Sequence, residues 1–170
     1  KIFYQKAEIK TLRNIGNVYR VLSNMSKAIE YYQMSRKTFE IMTCFHNIGV
    51  VYEQLLNFSK AGEYYETGLN YAKRINDADG VIMGLSGIGN ILSLTGKHKE
   101  AEKHYNEVLQ LATESGNLFM QSEALQSLRS VFEKQGRYKE ALAMFDKHIK
   151  LRDSIFSQEQ SRDITRKAVQ

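Results

Sequence analysis

Large apolar residues recur along the chain three and four positions apart, the spacing that gathers them on one face of a helix, and the short alternating runs of a β-protein are missing. One element repeats four times: Asn14-Ile15-Gly16-Asn17-Val18-Tyr19, Asn47-Ile48-Gly49-Val50-Val51-Tyr52, Gly87-Ile88-Gly89-Asn90-Ile91-Leu92 and Ser127-Leu128-Arg129-Ser130-Val131-Phe132. Twelve residues beyond the third position of each block stands an alanine, Ala28, Ala61, Ala101 or Ala141, and four further on an aromatic, Tyr32, Tyr65, Tyr105 or Phe145. The pattern predicts a helical hairpin. In its first helix the small residue lets the partner approach closely, and in its second the alanine and aromatic share the face that packs back. Turns are expected at Ser23-Asn24, Leu56-Asn57, Gly96-Lys97 and Gln135-Gly136, where asparagine and glycine tolerate the left-handed backbone that closes a helix.

This series of large, Gly, Tyr, Ala and aromatic positions resembles the tetratricopeptide repeat over residues 6–152. The resemblance implies an all-α fold, a right-handed superhelix of helix-turn-helix units (an α-α solenoid). The repeats are placed at about 6–40, 41–76, 77–116 and 117–152, after the end of a preceding helix or repeat at 1–5 and before a C-terminal helix or linker at 153–170. Two features depart from the family pattern: its terminal proline is absent throughout, and Arg129 replaces the small residue of the last repeat, as in a capping unit with a looser helix pair.

Gly49 to Gly89 and Gly89 to Arg129 each span 40 residues, against roughly 34 for the common repeat. Longer helices and loops are expected, the loops at Asn76-Asp77-Ala78-Asp79-Gly80 and Ser115-Gly116-Asn117. Such extended repeats look like those of polarity-scaffold and kinesin light-chain relatives and of bacterial regulators. Gly16 to Gly49 is only 33, with no breaker between Ser35 and His46 where the chain must reverse. A loop missing from the sequence near Glu40 and Ile41 is the expected cause.

Composition supports the helical reading. The 170 residues include no proline or tryptophan, and the 42% hydrophobic content supplies one continuous core or a short array of stacked units. Cys44 is the single cysteine, which excludes an internal disulfide and a thiolate-cluster metal site. No run reaches the roughly 20 apolar residues of a membrane-spanning helix. The net charge of +5 is spread without the basic blocks of a nucleic-acid arm, so neither nucleic acid nor membrane is expected as partner and a cytoplasmic location follows.

Gly84-Leu85-Ser86-Gly87-Ile88-Gly89 has the wrong order for a dinucleotide fingerprint and no preceding strand, so its glycines are read as close helix packing, in the least rigid helix of the array. His46, His98, His104 and His148 form no i, i+4 pair, and Cys44 has no implied histidine or acid beside it. Glu63, Glu66, Glu100 and Glu102 are expected on solvated helix faces. No catalytic centre, cofactor or metal is predicted.

Stacked hairpins present their first helices to a concave surface that takes extended peptides or helices. The residues expected there are Lys10, Arg13, Asn14, Asn17 and Arg20, then Thr43, His46, Asn47, Val50 and Gln54, then Met83, Ser86, Asn90 and Leu94, and finally Glu123, Gln126, Ser130 and Glu133. Asparagine amides both donate to and accept from a peptide backbone whatever its side chains. Arg13, Asn17 and Asn47 resemble part of the carboxylate clamp of chaperone-binding tetratricopeptide domains, but Met83 and Gly87 stand where that clamp needs basic residues. A peptide acidic toward the first repeat and basic or apolar further along is the better match.

The segment Asp153-Ser154-Ile155-Phe156, followed by a Ser/Gln/Glu stretch and Arg166-Lys167, resembles the junction in Bacteroidetes-type signalling proteins where such repeats lead into a histidine-kinase, nucleotide-cyclase or DNA-binding output domain. The resemblance implies a protein- or peptide-binding sensory or docking module rather than an enzyme. Two alternatives remain: a free-standing regulator of a peptide signal or response regulator, and the non-catalytic dock of a kinase or cyclase beyond Gln170. A homodimer through the terminal helices is also expected.

Overall fold

The computed structural model describes residues 2–35 and 41–168, with side chains placed over 11–34 and 43–157. Among the described residues eight helices follow one another: α1 (Ile2–Val21), α2 (Met25–Ser35), α3 (Ile41–Gln54), α4 (Phe58–Arg74), α5 (Ala78–Leu94), α6 (His98–Glu114), α7 (Leu118–Lys134) and α8 (Tyr138–Ala168). There is no strand among the described residues. The fold is an all-α array of helical hairpins of the solenoid class. The expected missing loop near Glu40 and Ile41 lies at residues outside the described ones, although α3 does begin at Ile41.

Four helices, α4 to α7, are each 17 residues long, and helix starts from Phe58 to Tyr138 fall every 20 residues. The extra length of these repeats therefore lies in the helices alone. The loops expected to be long are three-residue links, and Ala78, Asp79 and Gly80 form the first turn of α5.

In each link one residue takes a left-handed backbone, and in four of the six the last residue caps the next helix through its side chain, whereas Lys97 makes no such bond. Gly96, Gly116 and Gly136 have φ of 80°, 68° and 72°, but Ser23, Leu56 and Asn76 do the same work at 58°, 57° and 55°. The asparagines expected to adopt that conformation in the first two turns act instead as caps: Asn24 Oδ1 accepts from Lys27 N at 3.3 Å and Asn57 Oδ1 from Lys60 N at 3.2 Å. Asp77 and Asn117 repeat the device on Gly80 N and Met120 N. Each such cap contributes on the order of 1 kcal/mol.

The chain divides into two compact units, Lys1–Thr95 and Gly96–Gln170. In the first, Ala28, Tyr32, Ile48 and Val51 form a core against which Tyr19, Met25, Ile29, Tyr52 and Tyr64 pack. Both of its first hairpins close with stacked tyrosines and a lysine over the outer ring: Tyr19 on Tyr31 at 5.3 Å with Lys27, and Tyr52 on Tyr64 at 5.4 Å with Lys60. In the second unit the core comprises Ala101, Tyr105, Val108 and Ala112 of α6 with Ala124, Leu128, Val131 and Phe132 of α7. Arg137 stitches it together: its guanidinium lies over Phe132, pairs with Glu140 and reaches Glu102 of α6 at 2.6 Å.

Candidate functional site

The glycines of the repeat explain how the helices seat. A Cβ built on Gly49 of α3 would lie 2.4 Å from the Tyr65 ring of α4, and one on Gly87 of α5 would lie 2.5 Å from the same ring. Tyr65 is thus wedged between α3 and α5. Gly84 allows α5 onto Leu69 of α4 in the same way, with 2.7 Å to its Cβ, and Gly16 allows α1 onto Tyr32, with 2.6 Å. These contacts give the glycine run of α5 its packing role and leave no phosphate loop.

Around this wedge the first unit brings several expected groove residues together. The His46 ring lies against Tyr65 in a tilted arrangement with centroids 5.5 Å apart, and α3 and α5 are in contact. A narrow cleft is lined by His46, Tyr65, Gly68, Gly80, Met83 and Gly84. The His46 ring hydrogen-bonds to the Met83 backbone, while its buried Nδ1 has no hydrogen-bond partner among the described residues. Burial holds the imidazole below its usual pKa, against the raising effect of the Met83 bond, so the ring is neutral at pH 7.

Asn17 is half-buried and its Oδ1 accepts a 2.6 Å hydrogen bond from the Tyr32 hydroxyl, leaving the amide NH2 to donate elsewhere. Arg13 and Arg20 are half-buried, Asn14 is exposed, and Arg20 also bonds Tyr32. Burial raises the Tyr32 pKa although the arginine opposes it. Thr43, Asn47, Val50, Met83 and Ser86 are half-buried; Gln54, Asn90 and Leu94 are exposed. Lys10 lies on α1 at a position whose side chain is not described. In the second unit, α7 carries Glu123, Gln126 and Glu133 exposed and Ser130 half-buried, with Glu133 3.5 Å from Arg129.

Glu53 is the residue that sequence reasoning missed. It lies 33 positions after Arg20, the spacing that separates Gly16 from Gly49, and so holds the repeat position assigned to its neighbour Gln54. The Tyr65 hydroxyl donates to Glu53 Oε2 at 3.0 Å. Burial raises the carboxyl pKa and the tyrosine bond only partly offsets it, while burial and the Glu53 charge push the Tyr65 hydroxyl far above its ordinary value.

Other candidates resolve simply. Cys44 is a buried thiol in the core of the first unit. His148 is half-buried, with Nδ1 3.1 Å from the Ser122 hydroxyl. No group of three or more His, Cys, Asp or Glu among the described residues is arranged to hold a metal. No helix among them is long and apolar enough to cross a membrane.

Comparison with known proteins agrees with this geometry. The tetratricopeptide repeat family pattern matches residues 40–114 and again 80–154. No curated protein matches the sequence. Among solved structures, the apo form of RapI is similar at 21% identity and a TM-score of 0.76, over 91% of this chain and 59% of that one. Aspartyl phosphate phosphatase F from Bacillus subtilis is similar at 12% identity and a TM-score of 0.78, over 87% and 42%. BtubC from P. vanneervenii gives 18% and 0.75, over 86% and 64%. The chain therefore spans less than two thirds of each of these three proteins. With its ladder of alanine and aromatic residues seated on glycines, and the family pattern covering residues 40–154, the chain belongs to the tetratricopeptide repeat family.

Proposed function

We propose that this chain is a protein- or peptide-binding module whose recognition surface is the face formed by the first helices of its hairpins, and that it serves as the sensory or docking region of a bacterial signalling protein. The observation that carries the reading is the polar lining of that face in the first unit. Arg13, Asn17 and Arg20 on α1 and His46 and Asn47 on α3 are half-buried polar side chains held by the fold rather than loose on its surface. Preorganised donors of this kind recognise an extended backbone or an acidic chain end at low ordering cost. The family fold is a protein-interaction scaffold, and the site has no nucleophile, base and oxyanion arrangement. The module is therefore read as non-catalytic.

The fold likeness to RapI and to aspartyl phosphate phosphatase F supports a second reading, a free-standing regulator that engages a response regulator or a peptide signal.

An array of extended peptides with acidic and basic ends, bound to the chain and followed by fluorescence anisotropy, tests the groove. Arg13→Ala and Asn47→Ala should each weaken acidic-ended peptides by roughly tenfold with the melting temperature unchanged, the scale of one lost charge-assisted hydrogen bond. Asn17 is unsuitable for this test, because its removal also takes away the acceptor of the Tyr32 hydroxyl proton and so disturbs the core. Equal affinity of both variants and wild type for every peptide bound would remove the assignment.

A further inference from the structure

Leucine is an uncommon residue at positive φ, yet Leu56 takes that conformation where Gly96, Gly116 and Gly136 stand in other links. Its side chain is 75% exposed, so no burial offsets the strain, and nothing in the fold calls for leucine rather than glycine there. Its neighbours are of the same kind. Leu55 is 50% exposed, and in the preceding link Leu22 is 67% and Val21 75% exposed.

These two links lie side by side at one end of the first unit. Tyr19 and Met25, on either side of the 22–24 link, and Val51 and Tyr52, just before the 55–57 link, share one core. The α5 helix, in contact with α3, adds the exposed Leu94 forty residues after Gln54. The hairpin of α3 and α4 has α2 packed on one side and α5 on the other, so the exposure of Leu55 and Leu56 does not depend on where the array stops. The aliphatic surface of this end is on the order of several hundred Å², the size at which a patch marks an interaction site.

The same end carries charge of one sign. No acid occurs at 10–29, 54–62 or 80–95. Glu53 is half-buried with its carboxylate on the Tyr65 hydroxyl, and the exposed Glu30 and Glu63 stand more than a helical turn into α2 and α4. Lys27 and Lys60 hold equivalent positions in the first turns of α2 and α4, each ammonium fixed over a tyrosine ring, 5.1 Å from Tyr19 and 5.2 Å from Tyr52.

We propose that this end docks on an anionic lipid surface, with the aliphatic tips entering the headgroup layer and the two lysines meeting lipid phosphates. Two properties select that occupant. The side chains project from turns at helix ends, which suits a flat, deformable surface, whereas a helix or strand must be cradled in a groove or added to a sheet edge. A second copy docked through the same patch would set lysines against lysines, because a two-fold contact repeats one surface on both sides. Charge is spread evenly along the sequence and gives no sign of a membrane partner, because only the fold brings the two links to one end. The site uses neither Arg13 nor Asn47, so it stands apart from the groove.

Sedimentation of the 170-residue chain with vesicles tests this. At low salt it should pellet with phosphatidylcholine vesicles containing about 30% phosphatidylglycerol and not with phosphatidylcholine alone, and about 0.5 M salt should release it. Leu56→Gly should raise the melting temperature by relieving the left-handed strain while lowering vesicle affinity about tenfold, a pairing that a purely structural role would not give. Lys27→Gln with Lys60→Gln should lower affinity about thirtyfold with circular dichroism unchanged. Wild-type chain left in solution with the anionic vesicles, equal pelleting with neutral ones, or pelleting that Leu56→Gly leaves unchanged would overturn the proposal. The first of these, with Arg13- and Asn47-dependent peptide binding intact, would leave the groove standing and assign this end to an acidic protein instead.

Discussion

Tyr65 and Phe145 occupy the same position of the repeat and meet opposite fates. Tyr65 is 1% exposed, held between Gly49 and Gly87 and hydrogen-bonded to Glu53. Phe145 is 39% exposed, with the Arg129 guanidinium 5.6 Å from its ring where a glycine would let the first helix close in. Both side chains are large and aromatic, so their own hydrophobicity does not decide the outcome. Burial is decided by what faces them: two Cβ-less positions on flanking helices in one case, an arginine in the other.

The largest expected effect breaks this comparison directly. Tyr65→Ala should cost about 3–5 kcal/mol in urea denaturation, because it empties a site that close packing around the ring keeps from collapsing. Phe145→Ala should cost on the order of 1 kcal/mol, since more than a third of the ring already meets water and the remaining burial is small. Similar costs at the two positions would show that exposure of Phe145 does not reflect its energetics.

A smaller effect separates seat glycines from ordinary helical ones. Nothing lies within 4 Å of a Cβ built on Gly62, inside α4, so Gly62→Ala should stabilise by about 0.5–1 kcal/mol through helix propensity alone. Gly49→Ala gains the same propensity but drives a methyl into the Tyr65 ring, which Gly87 confines from the other side. A net loss of about 1–3 kcal/mol follows. If both substitutions stabilised, Tyr65 would be free to shift and the wedge would be wrong.

These seats were legible in the sequence because repetition exposes them. Gly16 and Gly49 each stand twelve residues before Ala28 and Ala61, and a face that must admit a neighbour closely leaves a size pattern as well as a hydrophobic one, whereas the α5 seats Gly84 and Gly87 lie off that template position. Turn chemistry was less legible. Ser23 and Leu56 adopt the left-handed conformation although Asn24 and Asn57 tolerate it better, because each asparagine is worth more as a cap one residue later. Asn76 to Gly80 looks like a turn, so part of the added repeat length is expected in loops as well as helices, yet Asp77 caps α5 and Gly80 sits in its first turn. In the groove, Gln54 stands among the expected residues, whereas counting 33 positions from Arg20 selects Glu53, the side chain that meets Tyr65.

The Glu53 contact supplies the smallest effect, and it turns on the one group that Tyr65 has and Phe145 lacks. The folded-state pKa of Glu53 is raised, chiefly by burial. A group shifted that way contributes stability that is fully present below its unfolded value near 4.5 and lost as pH rises through the folded value. Glutamine at this position accepts the same hydrogen bond from the Tyr65 hydroxyl without a charge to desolvate. Glu53→Gln should therefore match wild type at pH 4 and gain on it as pH rises to 7, by roughly 1–3 °C in melting temperature. The wild-type curve alone does not isolate this, because His46 is depressed and loses its contribution as pH falls below 6.5. Subtracting the two melting curves removes the His46 part, and a difference that shrinks with rising pH would mean that the carboxylate is held by its bond to Tyr65 more strongly than burial opposes it.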